Sequence, residues 1–269
     1  MGDRLKDQVA IVLGAGQSQG ETVGNGRATA ILFAREGAKV VIADKDVVSA
    51  RETQKLIENE IGEICSVHEV DVCSADQCKT LVDDCLKKYG KIDIFHNNVG
   101  IGVGDGSPVD TSEKVWDTIL DVNLKGMFLA AKFVLPVMQE AKKGVLTFIS
   151  SVAAVCSMNM VAYKTSKAGV NALSQSIAIA YAQYGIRCNV IMPGLLDTPI
   201  AIEGLARHHG LPKDVVREQR NRQVPLRNQM GTAWDVAYAS VFLASEEAKF
   251  ITGVALPVDG GQSARVGFM

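Results

Sequence analysis

Seven short apolar runs punctuate this chain, and helical patterns fill most of the intervals between them. The first, Val9-Ala-Ile-Val-Leu13, is continuously apolar, rich in β-branched residues and ended by Gly14. A run without polar alternation reads as a strand buried on both faces. Lys39–Ala43, Ile64–Val70, Ile92–Phe95, Val145–Ile149, Arg187–Met192 and Val254–Val258 read as the other strands. Helices are predicted over Gly26–Arg35, Asp46–Ile61, Ser74–Tyr89, Thr111–Ala141, Val161–Tyr184 and Thr232–Leu243, the fourth bent near Pro136. Gly37, Gly62, Gly90 and Gly185 close four of them, as glycine does at helix C-termini. Such alternation specifies an α/β fold, a parallel sheet covered by helices on both faces. Pro257 lacks an N–H, so the last strand belongs at a sheet edge.

No linker or repeat divides the 269 residues, so residues 1–269 read as one domain. Between Leu195 and Leu226 the pattern lapses into charged residues, histidines and prolines, which reads as an irregular lid inserted over a ligand site. A net charge of −2 argues against a nucleic-acid or membrane-surface partner. No apolar run approaches the ~20 residues of a membrane span. The N-terminal residues lack an apolar signal core, and Lys6 stands where a myristoylation motif needs Ser or Thr. Cysteines 65, 73, 78, 85, 156 and 188 form no Cys-x2-Cys pair, and adding His68 gives no zinc spacing. No metal is expected. Free thiols in a reducing compartment, and a cytoplasmic location, are.

The segment between the first strand and first helix is Gly14-Ala-Gly16-Gln-Ser-Gln-Gly20-Glu-Thr-Val-Gly24-Asn-Gly26. Glycines there let backbone and a helix N-terminus approach a pyrophosphate. The loop is six residues longer than a compact dinucleotide loop, because the Gly-x-Gly before the helix arrives only at Gly24 and Gly26. Asp44 ends the second strand 18 residues after Gly26, where a carboxylate can accept from an adenosine ribose. It also repels a 2′-phosphate, which favours NAD over NADP. Lys45 pulls slightly the other way and Asp46 opposes it.

Tyr163-Lys-Thr-Ser-Lys167 places a phenol and an ammonium at i and i+4, on one face of a helix. A phenol is a poor acid or base near neutral pH, its ordinary pKa being about 10. A fixed neighbouring cation favours the phenolate, which fits tyrosine for proton exchange with an alcohol or carbonyl oxygen.

Together with Asp71-Val72, Asn97-Asn98-Val99-Gly100, Asn123, Ser150-Ser151, Pro193-Gly194 and Val258-Asp-Gly-Gly261, these motifs resemble the short-chain dehydrogenase/reductase family from about Gln8 to Gly261. The resemblance implies a single-domain Rossmann fold with a doubly wound parallel sheet. It implies that Gly14, Asn25 and Gly26 line the coenzyme phosphates, Asp44 the adenosine ribose and Asp71 and Val72 the adenine. Asn98 and Gly100 would lie along the coenzyme, with Asn97 steadying the fourth strand. Pro193, Gly194, Leu196 and Thr198 would contact the nicotinamide end. Tyr163 would be the general acid/base, and Lys167 would bind the nicotinamide ribose and lower the phenol pKa. Asn123 would kink its helix and hold a proton-relaying water, and a serine would bind the substrate oxygen beside Tyr163. Family members assemble mostly as tetramers or dimers through the two long helices.

Three departures from the family pattern stand out. The lengthened glycine loop leaves its own phosphate contacts unassigned, with Asn25 and Gly26 preferred to Gln17–Thr22. Val99 replaces the alanine usual in Asn-Asn-Ala-Gly. Ser150 has the family's 13-residue spacing to Tyr163, whereas Ser151 has its position as the second serine. A loop loses a residue more cheaply than a strand does, so Ser151 is the expected catalytic serine.

The reaction expected is NAD-dependent interconversion of a secondary alcohol and a ketone. An NADP-dependent carbonyl reductase and a non-catalytic nucleotide-binding regulator are the alternatives. Enoyl reductases of the family space Tyr and Lys more widely, and position 170 here is Val. The lid cations Arg207, Lys213, Arg217, Arg220 and Arg222 either grip an anionic substrate group or form the solvated face of a lid helix. His208 and His209 are assigned no ligand role.

Overall fold

The computed structural model describes residues 2–62, 65–156 and 158–265. The strands are β1 (Val9–Leu13), β2 (Lys39–Asp44), β3 (Ser66–Glu69), β4 (Ile94–Asn97), β5 (Gly144–Ile149), β6 (Ile186–Pro193), the short pair β7 (Leu196–Asp197) and β8 (Gly231–Thr232), and β9 (Ala255–Val258). The helices are α1 (Asn25–Arg35), α2 (Val47–Ile61), α3 (Ala75–Tyr89), α4 (Glu113–Leu120), α5 (Gly126–Ala141), α6 (Val161–Tyr181), α7 (Leu205–His209), α8 (Lys213–Asn221) and α9 (Ala233–Ala244). Seven strands form one sheet in the order β3-β2-β1-β4-β5-β6-β9, and every pairing in it is parallel. This is the single-domain, doubly wound Rossmann arrangement, whose order reverses between β1 and β4. Ligands of such sheets bind at the C-terminal strand ends near that reversal.

The alternation within β1 explains its uninterrupted hydrophobicity. Val9, Ile11 and Leu13 enter a core with Leu81, Val134 and Val170 of α3, α5 and α6. Ala10 and Val12 enter the opposite core with Phe33 of α1 and Val241 of α9. Phe33 is fully buried, so Phe33→Ala should cost about 3–5 kcal/mol. Asp46 and Ser74 cap α2 and α3 with their side chains, and Gly62 and Gly90 close them in the left-handed conformation. β9 pairs only with β6, which leaves Pro257 on the edge strand as expected.

Several boundaries differ from the sequence reading. The expected third strand begins at residue 64, outside the described residues, and the strand itself starts at Ser66. β4 starts two residues later than Ile92 because its register with β1 pairs Ala10 with Ile94 and Leu13 with Asn97. The expected helix Thr111–Ala141 is two helices joined by a π-helical turn, Asp121–Lys125, with Pro136 inside α5. α6 ends at Tyr181 and tightens into a 3-10 turn, Ala182–Tyr184. The 195–226 segment is not irregular, since it holds β7, a π turn (Ile200–Gly204), α7 and α8. Ile202, Ala206, Val216, Val224 and Met230 give it a small core of its own.

Candidate active site

Gly14 leaves β1 with φ +81°, a conformation that favours glycine. A Cβ on Gly26 would lie 1.9 Å from the Gly14 carbonyl oxygen and 2.8 Å from Asn98 Nδ2, so the strand end and α1 meet only through glycine. Asn98 Nδ2 donates to that same carbonyl at 3.1 Å. Asp44 accepts from Gly16 N at 2.8 Å and from Asp46 N at 2.9 Å, which fixes its carboxylate under the loop. The N-terminus of α1 has no side-chain cap and no acidic residue in its first turn. Its partial positive charge is therefore open to an anion. Thr22 Oγ1 and Asn25 Oδ1 are buried without a protein partner among the described residues. Arg27 turns away from the loop, its guanidinium bonding Thr53 Oγ1 at 2.9 Å and Glu52 Oε2 at 2.9 Å. The glycine cradle, open helix end and orphaned polar atoms suit a pyrophosphate-bearing group.

The inserted part of the loop is ordered by its own side chains. Gln17 N donates to Ser49 Oγ at 2.8 Å, and Gln17 Oε1 accepts from Gly24 N at 2.9 Å. The loop then reaches the 195–226 segment. Glu21 N donates to Glu203 Oε1 at 2.8 Å, and the Glu21 carboxylate pairs with Lys213. A Cβ on Gly20 would lie 2.7 Å from Pro199 Cβ.

The second cluster lies at the ends of β4, β5 and α6. Tyr163 and Lys167 share the inner face of α6, with Lys167 Nζ 5.7 Å from the phenol ring centre. Lys167 is buried, donates to the Ile149 carbonyl at 2.9 Å, and is pulled down to about 8 by burial. A Cβ on Gly100 would stand 2.8 Å from Lys167 Nζ, so that glycine keeps the ammonium's space free. Burial holds the Tyr163 phenol above its usual pKa, and a hydrogen bond with Ser151 works against it. Burial is the larger effect on the phenol, and the Lys167 ammonium beside it donates to a main-chain carbonyl. Ser150 instead donates to the Lys167 carbonyl at 2.8 Å and is buried. Of the two serines, it is Ser151 that acts on the pKa of the phenol.

Asn123 occupies the π turn, and its amide forms a two-way bridge to the Ile101 main chain, at 2.8 Å to N and 2.8 Å to O. It also donates to Ser166 Oγ at 3.0 Å. Ser166 had no part in the sequence reading, and a serine three residues after a tyrosine gives no signal that would have found it. Asp71 pairs with Lys45 at 2.7 Å beside the buried Val72. Gly194 N donates to Val258 O at 3.0 Å, and a Cβ there would come within 2.7 Å of the Asp259 backbone. Leu196 buries its side chain in the core with Ile149 and Ile191, and Thr198 O accepts from Ala201 N and Ile202 N. Gly14, Asp44, Val72, Asn98, Ser151 and Pro193 thus stand at or just beyond the C-terminal ends of β1 through β6.

Of the cations of the 195–226 segment, Lys213, Arg217 and Arg222 pair with carboxylates of the chain, whereas Arg220 Nε is buried without a partner among the described residues. Arg217 reaches Asp197 at 2.7 Å and Asp214 at 3.1 Å, and Arg222 pairs with Glu218. Arg217 is only a quarter exposed, so the solvated-face reading does not describe it. Lys213, Arg217 and Arg222 already hold carboxylates, so an anion grip by these three is not supported either. Among the described residues no helix is long and apolar enough to cross a membrane.

The family model described as enoyl-(acyl carrier protein) reductase matches residues 21–263. Tropinone reductase-like 2 of Erythroxylum coca is 38% identical over 265 residues, covering 97% of this chain and 92% of the relative. The 3-oxoacyl-[acyl-carrier-protein] reductase of Thermotoga maritima is 33% identical, with 96% and 98% covered. The crystal structure of levodione reductase superposes with a TM-score of 0.92 at 29% identity, covering 98% of this chain and 100% of that one. The cradle, the Ser151–Tyr163–Lys167 cluster and these likenesses agree, and the chain belongs to the short-chain dehydrogenase/reductase family.

Proposed function

We propose that the chain is an NAD-dependent oxidoreductase that interconverts a secondary alcohol and a ketone, with Tyr163 as general acid/base. The observation that carries this reading is the placing of Lys167 Nζ 5.7 Å from the Tyr163 ring centre on one face of α6, with Ser151 lowering the pKa of the phenol. A nicotinamide coenzyme, when bound, supplies the acceptor or donor of hydride. Tyr163 takes the hydroxyl proton in oxidation and returns it to the carbonyl oxygen in reduction. Ser151 donates to the same oxygen and steadies the charge that develops there. Lys167 binds the nicotinamide ribose, and Asn123 orders the relay that refills the phenol with protons.

Gly14, Asn25, Gly26, Asp44, Asp71, Val72, Asn98, Gly100, Pro193, Gly194, Leu196 and Thr198 form the coenzyme's bed in this reading. The fixed Asp44 carboxylate supports NAD, because a 2′-phosphate beside it would be repelled. Lys45 is drawn to Asp71, which weakens its pull toward a 2′-phosphate. The reductases among the relatives support carbonyl chemistry, while the enoyl reductase description of the family model favours a second reading. The four-residue Tyr163–Lys167 spacing supports the first. A homo-oligomer built on α4–α5 and α6, in the cytoplasm, completes the proposal.

Absorbance of the reduced nicotinamide, followed with both coenzymes against alcohols, ketones and enoyl thioesters, tests the reading. Turnover of a secondary alcohol or ketone with NAD or NADH supports it. NADP winning on kcat/KM would overturn the coenzyme assignment. Turnover of enoyl substrates alone would overturn the reaction.

A further inference from the structure

The first turn of α6, which carries Tyr163, lacks a cap of its own. Met160 occupies the N-cap position and its side chain makes no capping hydrogen bond. A helix leaves its first N–H groups unpaired unless something outside it accepts them. Here the acceptors come from residues 105 and 106, more than fifty positions earlier in sequence. Gly106 O accepts from Val161 N at 3.0 Å. Asp105 Oδ1 accepts from Ala162 N at 3.2 Å, and Asp105 Oδ2 accepts from the backbone N–H of Tyr163 itself at 2.7 Å.

The carboxylate is held for this task. Its Oδ1 also accepts from Gly106 N at 2.9 Å and from Thr111 Oγ1 at 3.1 Å. The other end of the same loop is fixed at Ile101 by Asn123. Between these anchors Gly102 faces the phenol, where an added Cβ would lie 3.2 Å from Tyr163 Cδ2. An anion at a helix N-terminus is favoured by the dipole as well as by the hydrogen bonds.

We propose that Asp105 is a positioning residue for Tyr163, capping α6 from a distant loop and fixing the turn from which the phenol projects. This inference rests on Tyr163 being the acid/base of the proposed reaction. Asn at 105 would keep one of the two accepting oxygens and Ala would keep neither. A displacement of about 1 Å in a reacting group costs on the order of a hundredfold in rate.

Asp105→Ala, Asp105→Asn and Thr111→Val in the full chain test it through kcat, the coenzyme dissociation constant, and hydrogen exchange of the Ala162 and Tyr163 amides. Asp105→Ala should lower kcat about 10–100-fold, leave coenzyme binding unchanged, and expose the Ala162 and Tyr163 amides to exchange. Asp105→Asn, which keeps one of the two accepting oxygens, should recover part of kcat, and Thr111→Val, which removes one bond that holds the carboxylate, should lower kcat less than Asp105→Ala does. A fold defect would instead weaken coenzyme binding along with kcat. Asp105→Ala with full kcat and protected amides overturns the proposal. So do wild-type Ala162 and Tyr163 amides that exchange as fast as uncapped first-turn amides, a result that needs no variant to fold. If wild type turns over no substrate yet Asp105→Ala deprotects these amides, the cap is upheld and the proposed reaction fails.

Discussion

The Ser151 side chain works on the Tyr163 phenol, lowering its pKa against burial, whereas Ser150, its neighbour in sequence, donates to the Lys167 main-chain carbonyl at 2.8 Å. The β5–β6 ladder continues through Ser150, whose N–H donates to Ile191 O at 2.8 Å, and Ser151 is itself extended. The Ser150 hydroxyl is committed to the α6 main chain, so the two serines do not share one task.

Ser151→Ala should therefore lower kcat about 100–1,000-fold, the loss seen when one donor to a developing oxyanion is removed. Ser150→Ala should retain kcat and cost about 1 kcal/mol of stability for its buried hydrogen bond. Steady-state kinetics and urea unfolding of both variants check the pair, and the reverse assignment would exchange the kinetic results.

Asp44 accepts two backbone hydrogen bonds and faces the glycine loop. Asp44→Asn keeps part of that geometry and removes the charge. The ratio of kcat/KM for NAD to that for NADP should fall by about 10–100-fold, the effect of one charge a few ångströms from a phosphate at effective dielectric constants near 20. An unchanged ratio would remove Asp44 from coenzyme selection.

His96 is fully buried on β4 against Phe33, with neither ring nitrogen paired to protein among the described residues. Burial pulls its pKa from 6.5 to about 3. The unfolded chain then binds more protons than the folded one between those values. Stability from this group is complete above pH 6.5 and is lost as pH falls toward 3. His96→Leu should flatten that acid limb by on the order of a few kcal/mol without lowering stability at pH 7. Denaturant unfolding from pH 7 to pH 4 reads it, and parallel curves for variant and wild type would contradict it.

The contacts of Glu21 with Lys213 and Glu203 tie the lengthened glycine loop to the 195–226 segment. Gly20→Ala drives a Cβ to within 2.7 Å of Pro199 and should prise the two apart. Limited proteolysis around the exposed Leu211 should speed up in this variant, and in wild type at high salt, where exposed ion pairs are screened. Equal cleavage rates would leave these contacts without a restraining role.

The strands along the chain, the sheet buried on both faces and most helix ends were legible in the sequence because they depend on local periodicity and on glycine stops such as Gly62 and Gly90. The π turn at Asp121–Lys125 was not, since one extra residue per turn hardly disturbs an apolar pattern. α8 escaped because only Val216 of its nine residues is buried, which leaves no apolar stripe to read. The site motifs named residues that lie near the strand ends, and an argument about loops preferred Ser151 to Ser150. They carried no trace of Asp105, because a cap supplied from another loop has no spacing signature. Nor did they reveal the burial that holds the phenol above its usual pKa.

Tyr163→Phe removes one hydroxyl and keeps the ring that packs beside Gly102. Turnover, followed at the reduced-nicotinamide band, should be lost by several orders of magnitude. Coenzyme affinity from nicotinamide fluorescence titration should stay at the wild-type value. A Tyr163→Phe protein that still oxidises the wild-type alcohol substrate at a comparable rate would contradict the assignment of Tyr163 as the acid/base.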